Sequence, residues 1–266
     1  MKDSIKPKKY LGQHFLNDEA IAKEIIDQFL DKNTCIDVLE VGPGMGVLTK
    51  YLIPNCNINL KVIEIDNAAI DYLLNHYPSL KEKIIFGDVL AINPDEIFKD
   101  SFAIVGNFPY NISSQILFKV LEHKDRIPHV VGMFQKEVGD RIAAPPGSKT
   151  YGILSVLMQA YYDVESLMIV EKESFNPPPQ VRSVVIRFIK RVPDYKSGTA
   201  SILTCNETLF FKVVKTAFNQ RRKTLKNALK SLINSSDPNI PYLDLRAERL
   251  SWQQFEELTN AIEALH

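Results

Sequence analysis

Alternating strand and helix patterns over the first 150 residues constrain the fold of this 266-residue chain more than any other feature. Short apolar runs such as Cys35-Ile-Asp-Val-Leu-Glu-Val-Gly42 and 129–135 predict buried strands. Between the strands, the stretches 18–30 and 67–76 predict helices, the first with Asn17 or Asp18 as its N-cap. Strands and helices at this spacing form a mostly parallel sheet that is covered on both faces. Two further strands precede residue 190, and strands that end a parallel sheet in this way are often antiparallel. The sequence therefore predicts an α/β fold over residues 1–190.

A change of pattern near residue 190 predicts a domain boundary. Residues 191–201 are polar and include Pro and Gly, which is typical of a linker. Ser251 is the predicted N-cap of the last helix. We therefore expect a small all-helical domain over 191–266. Its predicted helices are 206–219, 220–233 and 251–265.

Composition and charge exclude several classes of protein. Lys and Arg together number 32, as do Asp and Glu, so the zero net charge argues against a simple polycation that binds nucleic acid by charge alone. No apolar run reaches the roughly 18 residues of a membrane span, and the charged N-terminus lacks the apolar core of a secretory signal. The three cysteines and five histidines have no disulfide-framework or metal-ligand spacing. We expect a cytoplasmic protein without a metal.

Three strand ends carry residues that suit a nucleoside-type ligand. The first strand runs into Gly42-Pro-Gly44-Met-Gly, whose glycines let the backbone turn sharply and approach a ligand closely. The second ends at Glu64, which can accept hydrogen bonds from both ribose hydroxyls, and the third ends at Asp88, which can accept one from an adenine amine. This order resembles the S-adenosylmethionine site of Rossmann-like methyltransferases. The alternative cofactor is NAD, but the glycine spacing is shorter than that of a dinucleotide site, and no Gly-Lys-Ser/Thr follows as in a P-loop.

The fourth strand runs into Asn107-Phe-Pro-Tyr110, the most specific short motif in the chain. It resembles the Asn/Asp/Ser-Pro-Pro-Tyr motif of methyltransferases that modify exocyclic amines. The lone pair of an adenine amine is delocalised into the ring, so two acceptors that hold its N–H groups out of the ring plane make it a better nucleophile. The Asn107 side-chain oxygen can be one acceptor, and the carbonyl of Phe108 or Pro109 the other. Pro109 stiffens the turn, and Tyr110 offers a ring on which a base can stack.

A proline-rich loop, Phe175-Asn-Pro-Pro-Pro179, separates the last two predicted strands. Prolines fix φ and favour an extended conformation, so the loop is rigid. Phe175 can then form the opposite wall of a base pocket, or it can be a core residue under a tight crossover. The residues alone leave both readings open.

Taken together, these motifs resemble the small-subunit ribosomal RNA adenine dimethyltransferase family over nearly the whole chain. The resemblance implies transfer of methyl groups from S-adenosylmethionine to N6 of two adjacent adenines in the hairpin loop near the 3′ end of 16S rRNA. It also implies an immature 30S subunit as partner, a role late in small-subunit assembly, and a monomer. The segments that carry the resemblance are Lys9-Tyr-Leu-Gly-Gln-His-Phe-Leu-Asn17, Leu39-Glu-Val-Gly-Pro-Gly44, Val62-Ile-Glu-Ile-Asp66, Gly106-Asn-Phe-Pro-Tyr-Asn-Ile-Ser113, Gln135-Lys-Glu-Val138, Lys149-Thr-Tyr-Gly-Ile-Leu-Ser155 and Phe175-Asn-Pro-Pro-Pro179.

The resemblance also implies roles for individual residues, including an N-terminal arm that folds over the cofactor. Many members have Asn where this chain has His14, and Leu where it has Phe108. The implied catalytic residues are Asn107, Pro109, Tyr110 and Phe175. The implied cofactor contacts are His14, Leu16, Gly42, Gly44, Glu64, Asp88 and Asn107.

Positive charge is concentrated in one part of the chain. Residues 191–235 contain nine Lys or Arg and two acids, a net charge of +7, while 1–190 carries −3 and 236–266 carries −4. Beside an adenine-amine site, contact with RNA phosphates is the favoured reading of this segment over a merely solvated face. The predicted RNA contacts are Lys212, Lys215, Arg221, Arg222, Lys223 and Lys226.

Two other functions compete with this prediction. A large-subunit rRNA adenine methyltransferase of the macrolide-resistance type shares the glycine loop and the Asn-x-Pro-Tyr-Asn-Ile-Ser run, but the triple proline at 177–179 favours the small-subunit family. A non-catalytic ribosome-assembly factor would keep the fold, but the intact Gly42, Glu64 and Asn107 argue against lost activity. A DNA adenine methyltransferase is disfavoured because no separate sequence-reading domain is apparent.

Overall fold

The structure is a computed structural model that describes residues 5–192, 202–233 and 239–265. Contacts divide the chain into two compact units. One consists of residues up to 139 together with 165–190, and the other of 140–164 together with 191 onward. No helix of the described residues is long and apolar enough to cross a membrane.

The first unit is built on a seven-stranded sheet and a separate two-stranded sheet. Most sheet strands are apolar runs buried along their length, as expected when helices cover both faces. The strands of the described residues are β1 Phe15–Leu16, β2 Asp37–Val41, β3 Asn59–Glu64, β4 Ile84–Phe86, β5 Phe102–Asn107, β6 His129–Gln135, β7 Tyr162–Val170, β8 Phe175–Asn176 and β9 Ser183–Lys190.

The order of the large sheet is β4-β3-β2-β5-β6-β9-β7. Its β2 is parallel to both β3 and β5, and β6 is parallel to β5. The pairing of β6 with β9 is antiparallel, which confirms the expectation for the strands that end the sheet. From β2 the chain builds outward through β3 and β4, then returns to the other side of β2 with β5. Ligands bind at such a reversal of strand order, beyond the carboxyl ends of the strands.

The helices begin where the sequence supplies caps. Of the two predicted N-cap candidates for the helix Glu19–Lys32, Asp18 rather than Asn17 is the cap, and it accepts hydrogen bonds from the amides of Ala20 and Ile21. Ser251 caps the last helix together with Gln254 in a capping box, which confirms that prediction. The α-helices of the described residues are α1 Glu19–Lys32, α2 Thr49–Leu52, α3 Asn67–His76, α4 Ser113–Glu122, α5 Lys136–Ile142, α6 Ile153–Tyr161, α7 Glu207–Asn219, α8 Leu225–Ala228 and α9 Trp252–Glu263.

The second unit is helical, and it holds more of the chain than the sequence indicated. Here α6 packs against α7 and α9, so residues 140–164 group with the C-terminal helices rather than with the sheet. A boundary near residue 190 marks one of the points where the chain passes between the two units. The aromatic rings of Phe218 and Phe255, 5.9 Å apart, lie in the core of this unit.

The predicted helix over 220–233 is wrong. After α7 the chain turns, and the only helical residues of this stretch are the four of α8. Thr224 forms a β-bridge with Arg246, and the Leu225 amide donates to the Leu245 carbonyl at 2.7 Å. This pairing with a distant segment buries Leu225, and it outweighs the local helical preference.

Candidate active site

A cavity of about 220 Å³ opens at the carboxyl ends of the central strands. Of the cofactor contacts implied by the sequence it brings together His14, Gly42, Gly44, Glu64, Asp88 and Asn107, and Pro109 and Tyr110 line it as well. These residues come from the N-terminal segment and from the ends of β2 to β5. The register aligns Glu40 of β2 with Val105 of β5, so the glycine loop and the Asn107 turn emerge side by side.

The glycine loop needs glycines for two separate reasons. Gly42 and Gly44 have φ values of +67° and +55°, in the left-handed region that side chains rarely adopt. A Cβ on Gly44 would also lie 2.8 Å from Cε1 of Phe15, so the N-terminal segment packs directly on the loop. The loop is therefore shaped by its own backbone and covered by β1.

Glu64 organises the loop as well as facing the cavity. Its Oε2 accepts from the Gly44 amide at 3.2 Å, and its Oε1 accepts from the amides of Ile65 and Asp66, both at 2.9 Å. Burial raises the pKa of this carboxyl, while these backbone N–H groups act in the opposite direction. A carboxylate has about four acceptor sites, so Glu64 keeps capacity for ligand hydroxyls.

Glu40 is a second buried acid, one to which the sequence interpretation gave no role. It is 1% exposed and lines a small adjoining cavity of about 20 Å³ together with Gly42, Gly44 and Asn107. Burial raises its pKa to about 8. Its Oε2 has no hydrogen-bond partner among the described residues.

The turn after β5 is fixed by the packing of Phe108. Its ring is 1% exposed and meets Phe134 edge-on at 5.3 Å between centroids. Gly106 and Gly132 are neighbours in the β5–β6 pair. A Cβ on Gly132 would collide with this ring at 2.4 Å, whereas one on Gly106 would collide with the Val41 carbonyl at 2.5 Å and lie 3.0 Å from the ring. The absence of side chains on these two glycines leaves space for the Phe108 ring, and the buried ring fixes the backbone next to Asn107.

Tyr110 is held at its hydroxyl and across one face of its ring. The hydroxyl is 2.5 Å from Oγ of Ser183, a fully buried residue at the start of β9. The ring of His14 stacks on that of Tyr110, with centroids 5.3 Å apart and planes at 25°. Burial raises the pKa of the Tyr110 hydroxyl, and the bond to Ser183 acts against that rise. Ser183 was not predicted as a site residue, because it lies 73 residues from Tyr110 in the sequence and only the fold brings the two together.

The N-terminal segment is fastened across the cavity. Lys8 Nζ lies 2.7 Å and Gln13 Nε2 3.0 Å from the carboxylate of Asp66, whose side chain is fully buried. Burial acts to raise the pKa of Asp66, but the hydrogen bonds from Lys8 and Gln13 outweigh it and lower the pKa. Neither Gln13 nor Asp66 was singled out as a functional residue, because only the folded chain brings them together. We call these contacts the arm latch.

Two predicted site residues lie behind the cavity rather than in its wall. Leu16 and Phe175 are each 2% exposed, pair with each other across β1 and β8, and belong to the hydrophobic core. Leu16 reaches only the small adjoining cavity. Of the two readings of Phe175, the core position describes where the side chain lies, and its role as a wall of a base pocket stays a prediction.

The predicted RNA contacts belong to the second unit. Buried residues such as Val213 and Val214 occupy one side of α7. Arg221 is only partly exposed, and its Nη2 donates to the Lys149 carbonyl at 2.7 Å. The other predicted contacts are exposed: Lys212, Lys215, Arg222, Lys223 and Lys226.

Comparison with known proteins identifies the family. The family model "Ribosomal RNA adenine dimethylase" matches residues 5–262. The Ribosomal RNA small subunit methyltransferase A of Flavobacterium johnsoniae is 53% identical over 265 residues, covering 98% of each chain. Two solved structures share the fold. A dimethyladenosine transferase from Plasmodium falciparum has a TM-score of 0.77 at 24% identity, covering 94% of this chain and 98% of the other. The 23S rRNA methyltransferase ErmE has a TM-score of 0.65 at 21% identity, covering 92% and 99%. This chain belongs to the ribosomal RNA adenine dimethylase family.

Proposed function

We propose that the protein transfers methyl groups from S-adenosylmethionine to N6 of two adjacent adenosines in the 3′-terminal hairpin loop of 16S rRNA. The products are N6,N6-dimethyladenosines, and the substrate is an immature 30S subunit, late in small-subunit biogenesis. The protein acts in the cytoplasm as a monomer. The observation that carries the proposal is that Asn107 and Tyr110 line the same cavity as Gly42, Glu64 and Asp88.

The described residues of the cavity fit S-adenosylmethionine. Glu64, Asp88, Gly42 and Gly44 all line the cavity. Glu64 would accept hydrogen bonds from the ribose hydroxyls and Asp88 from the adenine amine, and the backbone of Gly42 and Gly44 would allow close approach of the amino-acid part. When bound, the cofactor supplies a methyl group on a positively charged sulfur. The two acids on the cavity wall, Glu64 and Asp88, suit a ligand with positive charge.

The chemistry of the target amine falls to Asn107 and the turn that follows. An amine whose two N–H groups are bound out of the ring plane regains its lone pair, and Asn107 Oδ1 is one acceptor for them. The Pro109 carbonyl already accepts from the Ile112 amide at 3.1 Å, which favours Phe108 over Pro109 as the second acceptor. The amine loses a proton readily once it is methylated, so the site needs acceptors and in-line positioning rather than a strong base.

The small subunit is proposed as the substrate because of the names of similar relatives. Those at about half identity over nearly the full length are named for the small subunit, whereas the likeness to ErmE is one of fold. Exposed cations of the second unit supply phosphate contacts that hold the RNA without reading its sequence.

A labelled methyl-transfer assay tests this function. The protein is incubated with radiolabelled S-adenosylmethionine and, separately, immature 30S particles, naked 16S rRNA and 50S particles. We expect label in small-subunit RNA only, mapped to two adjacent adenosines, and its loss in Asn107→Ala. Asn75→Ala, an exposed asparagine of α3, is the matched control and should keep full activity. Label only in 50S particles would favour the large-subunit function, and no label in any substrate would favour the assembly factor.

A further inference from the structure

His14 contacts three separate parts of the candidate site. Its backbone carbonyl accepts from the side-chain Nδ2 of Asn107 at 2.9 Å. Its ring Nδ1 lies 2.8 Å from the Pro177 carbonyl, and its ring stacks on Tyr110. The family resemblance implies a cofactor contact at this position, and these three contacts join His14 to other groups of the protein itself.

The bond to the carbonyl decides which way the Asn107 amide faces. A carbonyl oxygen only accepts, so the amide must present its NH₂ group to His14. The amide oxygen is left as the group available to a target amine. With the amide reversed, two oxygens would lie 2.9 Å apart, and the target amine would meet donors instead of an acceptor.

The side chain of His14 fixes the position of that carbonyl. The Pro177 carbonyl also only accepts, so Nδ1 of His14 carries the proton of this hydrogen bond. On one side of His14, Phe15 pairs with Asn176 in the short sheet, and on the other, Gln13 belongs to the arm latch. The segment 13–15 is therefore held at both ends by Gln13 and Phe15, and the imidazole of His14 anchors its middle.

We propose that His14 is a positioning residue, which holds the amide of Asn107 with its oxygen toward the target amine through an anchored backbone carbonyl. This role rests on the proposed function, since it concerns the acceptor for an adenine amine. It differs from a cofactor contact in what it predicts. Loss of the anchor should lower kcat for methyl transfer and leave cofactor affinity nearly intact.

Substitutions of His14 distinguish the hydrogen bond that its side chain donates from the space that the side chain fills. In His14→Asn the side-chain Nδ2 is separated from Cβ by the same number of covalent bonds as Nδ1 of histidine, so it can donate to the Pro177 carbonyl. His14→Asp has the same shape but no donor, and His14→Ala has neither. His76 provides the control, since its Nδ1 contacts the Tyr72 carbonyl at 2.9 Å on the exposed helix α3. His76→Asp should therefore leave kcat unchanged.

Turnover and cofactor binding are measured for each variant, with thermal melting to establish folding. We expect kcat to fall about 10- to 100-fold in His14→Asp and His14→Ala, because small misplacements in a site cost this much. The Kd for S-adenosylmethionine should stay within about threefold, and His14→Asn should restore kcat to within about threefold of the wild type. Equal losses in His14→Asn and His14→Asp, or a raised Kd with unchanged kcat, would overturn the proposal.

A second readout does not depend on activity. In protein labelled with ¹⁵N at asparagine, the side-chain NH₂ signal of Asn107 is assigned by its absence in Asn107→Ala. We expect its proton shifts to move toward those of a solvated amide in His14→Asp and to stay near wild type in His14→Asn. Unchanged shifts in His14→Asp would refute the positioning role even in a protein that methylates RNA. A wild type that methylates no RNA would instead refute the proposed function, with the amide shifts still reporting on His14.

Discussion

The buried acid Glu40 should make the stability of the sheet depend on pH, and Glu40→Gln should remove that dependence. The side chain is 1% exposed, and Oε2 has no partner among the described residues. Burial raises the pKa of Glu40 from 4.5 to about 8, the nearby polar groups of Thr49 oppose the rise, and the charge of Glu64 adds to it. Glutamine keeps the size of the side chain and cannot ionise.

The sign and size of the effect follow from proton linkage. Because the pKa is higher in the folded state than in the unfolded state, the folded protein binds more protons between these values, and its stability falls as pH rises through that window. At about 1.4 kcal/mol per pKa unit, the difference between 4.5 and about 8 corresponds to about 5 kcal/mol above pH 8 and about 3 kcal/mol at pH 7. Below pH 4.5 the protonated Glu40 and glutamine should be nearly equivalent.

Urea denaturation at pH 5, 7 and 9 measures this difference. Trp252 is the sole tryptophan and lies in the second unit, so unfolding is followed by circular dichroism and by hydrogen exchange of β2 peptides rather than by tryptophan fluorescence. Glu40→Gln should gain on the wild type as pH rises, while Glu82→Gln, an exposed control, should show a constant difference. A difference for Glu40→Gln that stays the same from pH 5 to 9 would refute the reasoning.

Three further predictions concern the loop, the arm and the second unit. Gly44→Ala should weaken cofactor binding about tenfold by calorimetry, because a Cβ at φ +55° costs about 1–2 kcal/mol and lies 2.8 Å from Phe15. Asp66→Asn should speed trypsin cleavage after Lys8 roughly tenfold, since hydrogen bonds to a charged group contribute about 1.5–3 kcal/mol; an unchanged rate would show that the latch does not hold the arm. Glutamine at any of three exposed cations should lower the salt slope of RNA binding by about one, whereas Arg221→Gln should instead lower the melting temperature. The three cations are Lys212, Lys223 and Lys226.

Elements with a strong local signal were predictable from the sequence. The predicted helix over 67–76 and the predicted strand over 129–135 match α3 and β6 residue for residue. Asp18 and Ser251 were found because a cap is a property of a few adjacent residues. The residues of the cavity wall were found for a related reason, since in a parallel sheet the strand ends meet at one edge and the motifs mark those ends.

Contacts between distant residues were not predictable. The arm latch joins Lys8 to Asp66 across 58 residues, and nothing in either neighbourhood marks the pairing. The break after α7 was missed because the chain there contains no Gly or Pro, and the pairing of Thr224 with Arg246 decides its course. The position of the Phe175 side chain was not predictable either, because a proline-rich loop restricts the backbone but does not determine which way the ring faces.

The distribution of charge explains how a chain with zero net charge can act on RNA. None of the described residues that line the cavity is Lys or Arg, and two of them, Glu64 and Asp88, are acids. Such a wall suits a cationic methyl donor and a neutral amine, and it repels phosphate. The positive charge lies instead in 191–235, whose net charge is +7. In the proposed function, the RNA backbone binds the positively charged segment and the target base enters the acceptor-lined cavity. These two interactions require charge of opposite sign, and the sequence places them in different segments of the chain. Under the proposed function, specificity comes from which adenines can leave the RNA fold and reach Asn107, rather than from the strength of phosphate binding.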